Sequence, residues 1–147
     1  MKKIISCVAI FMFVIVLTGC GKKSLTCSGD MTESGITAGV KVVGDFENDK
    51  LVKNNIEMEF DLTEYLEYAD IDTFYDSFKT QYAVFDEYEG ISTNITKGDN
   101  SIIVVMEVDL KKVDEATYKK LNIGSGSLEV STKGFKDEFT DMGLTCK

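Results

Sequence analysis

The sequence has no histidine, arginine, proline or tryptophan; all sixteen of its basic residues are lysine. Each absence excludes a class of chemistry. Without His there is no Ser-His-Asp triad, no Cys-His dyad and no His-ligated zinc site. Without Arg no side chain can fork onto a phosphate or carboxylate in bidentate fashion. Basic residues are also outnumbered, 16 against 25 acids, for a net charge of −9 and a pI near 4.5. That balance argues against a nucleic-acid partner, because neutralising phosphates needs clustered cations. The length of 147 residues suits one domain.

What the sequence does contain begins at its N-terminus. Met1-Lys2-Lys3 is followed by an almost unbroken apolar run from Ile4 to Leu17, then Thr18-Gly19-Cys20. A short positive start, an apolar stretch and small residues at its end have the form of a secretory signal peptide. The run is shorter than the roughly 20 residues a membrane span needs. Leu17-Thr18-Gly19-Cys20 resembles the lipobox of bacterial lipoproteins: an aliphatic residue, a small one, Gly or Ala, then Cys. In that family a diacylglyceryl group is added to the Cys thiol and cleavage leaves the Cys as the first residue. The resemblance therefore implies cleavage of residues 1–19, lipidation at Cys20 and a domain held at the membrane on its extracytoplasmic side. The alternatives are an ordinary signal with an incidental Cys20, or an uncleaved anchor helix. Removing residues 1–19 leaves 128 residues with 14 Lys and 25 acids, a net charge of −11. Residues 20–26 read as a lipidated Cys and short tether, and residues 27–147 as a single domain. Lys22 and Lys23 either lie on anionic headgroups or are simply solvated.

Cys7 lies in the apolar leader and Cys20 in the lipobox. Cys27 and Cys146 remain, one near each end of an exported domain. An oxidising exterior favours a disulfide between them; two free thiols are the alternative. Catalysis by either thiol lacks a His to activate it.

Period-two alternation marks four strands with one face buried. Their inward sets are Ile36, Ala38, Val40, Val42 and Phe46; Val52, Ile56, Met58, Phe60 and Leu62; Ile91, Thr93 and Ile95; and Ile102, Val104, Met106, Val108 and Leu110. Asp45 to Lys50 and Lys97-Gly98-Asp99-Asn100 read as hairpin connections. Between the hairpins, Ile71, Phe74, Phe78, Tyr82 and Phe85 recur at three and four, predicting a helix over 70–88. Asp70 or Asp72 caps its start and Gly90 closes it. A short helix follows around 114–121, then a turn at Gly124-Ser125-Gly126-Ser127. A brief fifth strand is expected at Leu128 and Val130. Phe135, Phe139 and Met142 mark a C-terminal helix, with Gly143 as its cap and Leu144 folding back. The fold class is α+β: an antiparallel sheet of two hairpins, with a long helix between them packed on one face and a C-terminal helix.

Several of these features occur together in one family. They are the lipobox, a Cys soon after it, the hairpin ending Asp49-Lys50-Leu51-Val52-Lys53, the aromatic-acidic helix closed by Glu89-Gly90-Ile91, and the C-terminal helix ending Met142-Gly143-Leu144-Thr145. The combination resembles the YehR-like small bacterial lipoproteins. The resemblance implies one α+β domain at the cell surface and brings no catalytic residues with it.

The segment from Phe60 to Glu89 holds nine acids against one base, Lys79, and nine of the thirteen aromatics beyond Cys20. Glu64, Tyr65, Glu67, Tyr68, Asp72 and Asp76 form a candidate interaction patch for a cationic partner, since Tyr favours interfaces. The plainer account is an amphipathic helix with a solvated outer face. Asp45-Phe46-Glu47-Asn48-Asp49 has acids at positions one, three and five. Lys50 and Ile56 stand where an EF-hand loop needs Gly and Glu, so no calcium site and no other metal or cofactor is expected. Glu57 and Glu59 share a strand face and could serve a small carboxylate-based hydrolase or cell-wall-modifying enzyme. The preferred reading is a non-enzymatic binding or structural module whose protein or envelope partner the sequence does not name. Val43, Ile103 and Val105 point away from the main apolar face, and either the C-terminal helix covers them or they form a docking strip.

Overall fold

The computed structural model describes residues 21–33, 35–121 and 127–147. The leader, the lipobox with Cys20, and most of the turn around 124–126 lie outside the described residues. Among the described residues six strands form one antiparallel sheet: β1 (Lys22–Glu33), β2 (Ile36–Glu47), β3 (Lys50–Asp61), β4 (Ile91–Lys97), β5 (Ser101–Asp109) and β6 (Thr145–Cys146). Their spatial order is β4-β5-β3-β2-β1-β6. Helices α1 (Ile71–Tyr82), α2 (Glu115–Lys120) and α3 (Thr132–Asp141) complete the α+β fold.

The first half of β1 corrects the expected tether. Residues 22–26 are not a spacer; they pair with β2 from Lys22↔Glu47 through Thr26↔Val43. Leu25, Cys27, Gly29 and Met31 alternate inward against Gly44, Val42, Val40 and Ala38. The side chains are small and mixed, and the long register with β2 supplies what weak strand preference does not.

β2 and β3 meet in a two-residue turn. Asn48 and Asp49 both have positive φ, 52° and 60°, a conformation these two residue types tolerate and one that matches strand twist. The turn is thus tighter than the span from Asp45 to Lys50 suggests. A bulge follows, because Phe46 pairs with Leu51 while Asp45 pairs with Lys53. The extra residue is Val52. Leu51, 2% exposed, therefore takes the core position that simple alternation assigns to Val52. Asn54 occupies the next inward position. It is buried, and its Oδ1 has no hydrogen-bond partner among the described residues.

All the helices pack on one face of the sheet. α1 starts where Asp70 Oδ1 accepts the Thr73 N–H at 2.7 Å. Its stripe of Ile71, Phe74, Phe78 and Tyr82 covers Leu62, Ile102 and Val104, and Phe78 meets Phe60 edge-on at 4.8 Å. The helix stops at Tyr82, short of the expected 88. Ala83–Glu87 winds into a 3-10 turn, which lets Phe85 reach the core while Asp86 turns to the edge strand. There Asp86 Oδ1 accepts the Thr93 N–H at 2.6 Å. Gly90 follows with φ +86°; a Cβ there would lie 2.8 Å from the Val113 nitrogen, so both backbone and space require glycine.

α2 and α3 cover the other half of the same face. Tyr118, Phe135, Phe139 and Leu144 join Val42, Phe46, Leu51 and Val108 in one core cluster. Full burial of each such side chain contributes about 1.5–3 kcal/mol. Phe135 meets Phe46 edge-on at 5.4 Å. It can do so because β2 carries Gly44 beneath it; a Cβ there would stand 2.8 Å from the Phe135 ring and 2.9 Å from Leu51. α3 ends in a Schellman turn, with Gly143 at φ +90°, its N–H bonded to Thr140 O, and Leu144 N–H reaching back to Phe139 O at 2.9 Å. Leu128 and Val130 form no strand; the Val130 carbonyl makes one bond, to Leu51 N–H at 2.9 Å.

The opposite sheet face is open to solvent. α3 does not cover Val43, Ile103 and Val105, because it lies on the other side. Nor do they form a continuous strip. Val43 is flanked by Thr26 and Asn55, Val105 by Glu57 and Asn94, and Ile103 by Glu59 and Thr96.

Candidate functional site

The two cysteines are brought together. Cys27 and Cys146 face each other across β1 and β6, with Cα atoms 4.0 Å apart and the sulfurs bonded. Thr26 and Lys147 exchange both backbone hydrogen bonds beside them, so the cysteines occupy the closer, non-hydrogen-bonded kind of pair. Cys27 is fully buried and Cys146 half-buried. The bond closes a sequence separation of 119 residues.

The acidic-aromatic residues gather at the end of the sheet where β1 passes to β2 and β3 leaves for α1. Glu64, Glu67, Asp72 and Asp76 are exposed, and Tyr68 is 82% exposed. Tyr65 differs: it is half-buried, and its hydroxyl donates to the Gly35 carbonyl at 2.9 Å, pinning the 3-10 turn Thr63–Tyr65 to the β1–β2 connection. Asp72 is held by Lys97, whose pKa rises through that hydrogen bond. Asp70 titrates below the usual carboxylate range because the Thr73 backbone N–H and hydroxyl donate to it. Asp61 does likewise through the Thr63 hydroxyl and N–H. These two carboxylates are therefore committed to local structure. Glu64, Glu67, Tyr68 and Asp76 are exposed at this end.

The acids around the β2–β3 turn are also engaged in local contacts. Asp45 accepts from Ser24 Oγ at 2.5 Å, Glu47 from Lys111 Nζ at 2.9 Å and Asp49 from Thr132 N–H at 3.1 Å. Among the described residues no three His, Cys, Asp or Glu side chains converge as metal ligands would. Glu57 and Glu59 lie on the flat solvent face, paired in register with Lys41 and Gly39.

Sequence reasoning missed a feature at the other end of the sheet. Lys22, Lys23, Lys53 and Lys111 surround an open concavity of about 360 Å³, together with Asp45, Glu47 and Asp109. Lys112 lines a second concavity that shares Lys53 and Asp109. Glu47 takes two of these lysines, Lys111 at 2.9 Å and Lys22 at 3.8 Å. Its pKa is lowered chiefly by the Lys111 hydrogen bond. The signal in the sequence was two of its four Lys-Lys doublets, 22–23 and 111–112; only the fold shows that these two meet.

No family model and no curated protein matches the chain. Among solved structures it is similar to the NMR structure of E. coli YehR, with a TM-score of 0.64 and 14% identity over 86% of this chain and 92% of that one. It is also similar to the NMR structure of a protein from Streptococcus pneumoniae TIGR4, with a TM-score of 0.57 and 12% identity over 86% of this chain and 85% of that one. At these identities the likeness is one of fold. It is consistent with the YehR-like resemblance carried by the sequence motifs.

Proposed function

We propose that the chain is a lipid-anchored protein of the bacterial envelope, acylated at Cys20 and facing the extracytoplasmic side. There it acts as a binding or structural module and catalyses no reaction. The observation that carries this reading is the pairing of two cysteine chemistries within eight positions. Cys20 ends Leu17-Thr18-Gly19-Cys20, and Cys27 is bonded to Cys146. A disulfide of this kind belongs to an oxidising compartment, which is where the leader would deliver the domain. The acidic end is the surface for a cationic partner: Glu64, Glu67 and Asp76 supply charge and Tyr68 an exposed ring.

Two experiments test the reading. Cys20→Ser should abolish acylation and leave unprocessed precursor in the membrane, as read by mass spectrometry. Recovery of that variant cleaved normally after Gly19 would overturn the lipid anchor. For the binding surface, partners cross-linked to the protein in intact cells are compared with those of a Glu64→Gln/Glu67→Gln/Asp76→Asn variant. Loss of a partner supports the acidic surface; an unchanged set of partners refutes it.

A further inference from the structure

We propose that the lysine-rimmed end of the sheet is the face the domain lays against anionic lipid headgroups, which points its acidic end outward. This deepens the anchor reading above and rests on it. Two independent observations meet at that end. The first is where the chain enters. The carbonyl of Gly21, one residue after the lipobox Cys, accepts the Asn48 N–H of the β2–β3 turn at 2.8 Å. Because β1 begins at Lys22 with no slack spacer, the lipid on Cys20 holds this end of the sheet at the membrane surface.

The second observation is how charge is divided. After residue 19 the chain carries −11, a charge that an anionic surface repels when it is spread evenly. It is not spread evenly. Lys22, Lys23, Lys53, Lys111 and Lys112, five of the 14 lysines, line the two concavities at the entry point. They come from three separate stretches of sequence, so only the sheet register unites them. Two of them share the single carboxylate of Glu47. The concavity between Lys22, Lys23, Lys53 and Lys111 also holds Asp45, Glu47 and Asp109, so this end is mixed in charge where the opposite end of the sheet is acidic. At the far end Asp61, Glu64, Glu67, Asp70, Asp72 and Asp76 collect with Lys97. In the field of an anionic leaflet such a charge-split body has one favoured orientation, lysines inward.

The test is lysine acylation kinetics on the full-length protein reconstituted into vesicles, read residue by residue by mass spectrometry. Vesicles of phosphatidylcholine alone are compared with vesicles that also contain phosphatidylglycerol, after flotation to isolate the bound protein. On anionic vesicles Lys22, Lys23, Lys111 and Lys112 should label more slowly than on neutral ones, by about fivefold for each lysine in contact. Lys41, Lys79 and Lys97 should label equally on both, and molar salt should erase the difference. A Lys53→Glu/Lys111→Glu/Lys112→Glu variant with an unchanged circular dichroism spectrum should lose the protection at Lys22 and Lys23. Equal labelling of a floating protein on the two vesicle types, or protection of Lys97, overturns this inference alone. A protein that does not float overturns the anchor reading and this inference with it.

Discussion

Removal of the Cys27–Cys146 bond tests how far the two ends of the chain support the fold. In the loop-closure model, freeing a loop of 119 residues returns entropy to the unfolded chain worth about 5 kcal/mol. Native bridges in small exported domains typically contribute about 2–5 kcal/mol. The lower part of that range is expected here for a structural reason. β6 is only two residues long, and α3 is held separately by Phe135, Phe139 and Leu144. The reduced protein can therefore release its last residues and keep its core. At about 4 °C per kcal/mol for a domain of this size, about 2–3 kcal/mol should lower the melting temperature by about 8–12 °C on reduction. The two cysteines should not be equivalent. Cys146→Ala removes a half-buried sulfur, whereas Cys27→Ala also empties a fully buried site and costs about 1 kcal/mol more. The double variant should match Cys27→Ala. Thermal and urea unfolding followed by far-ultraviolet circular dichroism, on oxidised and reduced wild type and on the three variants, read these values. Coincident midpoints in oxidised and reduced wild type would refute the reasoning, as would a double variant less stable than either single one.

Two further outcomes follow from the packing. Gly44→Ala places a methyl 2.8 Å from the Phe135 ring and should destabilise the domain by about 1–3 kcal/mol in a denaturant melt, whereas Gly134→Ala, in α3 with its nearest neighbour at 3.4 Å, should not. Burial raises the pKa of Glu138 above its ordinary 4.5, so its ionisation opposes folding once the pH exceeds that value. Glu138→Gln should then melt at a higher temperature than wild type near pH 7, an advantage that disappears below about pH 4 where both side chains are neutral.

Much of this fold was legible because its strands obey a simple alternation. Ile102, Val104, Met106 and Val108 read as one buried face and are one. The C-terminal helix was equally plain, since Phe135 and Phe139 lie one turn apart and Gly143 supplies the left-handed stop. The pairing of Cys27 with Cys146 came from counting, once Cys7 and Cys20 had other places. What escaped was non-local. β1 alternates too, but with Leu25, Gly29 and Met31 in place of β-branched residues, and its pairing with β2 is what makes it a strand. The bulge that exchanges Val52 for Leu51 depends on how Phe46 meets its neighbour, which no window of sequence records. The extent of α1 was overread because Phe85 keeps the helical spacing while the backbone has already tightened to let Asp86 reach Thr93. The lysine rim escaped for the same reason: residues 22–23, 53 and 111–112 are brought together only by the register of four strands.

The position of the cross-strand bond has a mechanical consequence. A pull on the chain at Gly21 loads β1 from its first residue, and β1 meets β2 as one arm of a hairpin. Such a pair opens like a zipper, one rung at a time from Lys22, because the load falls on the first hydrogen bond and not on all of them together. The peel can advance through Thr26 and must halt at Cys27, where the rung is covalent to the other terminus. The slack it yields is the five residues from Lys22 to Thr26, about 17 Å at full extension. Drag on the domain then divides at Cys27, between the rest of β1 and, through Cys146, β6 and the end of α3. The bond is a stop knot placed a few residues inside the point of attachment.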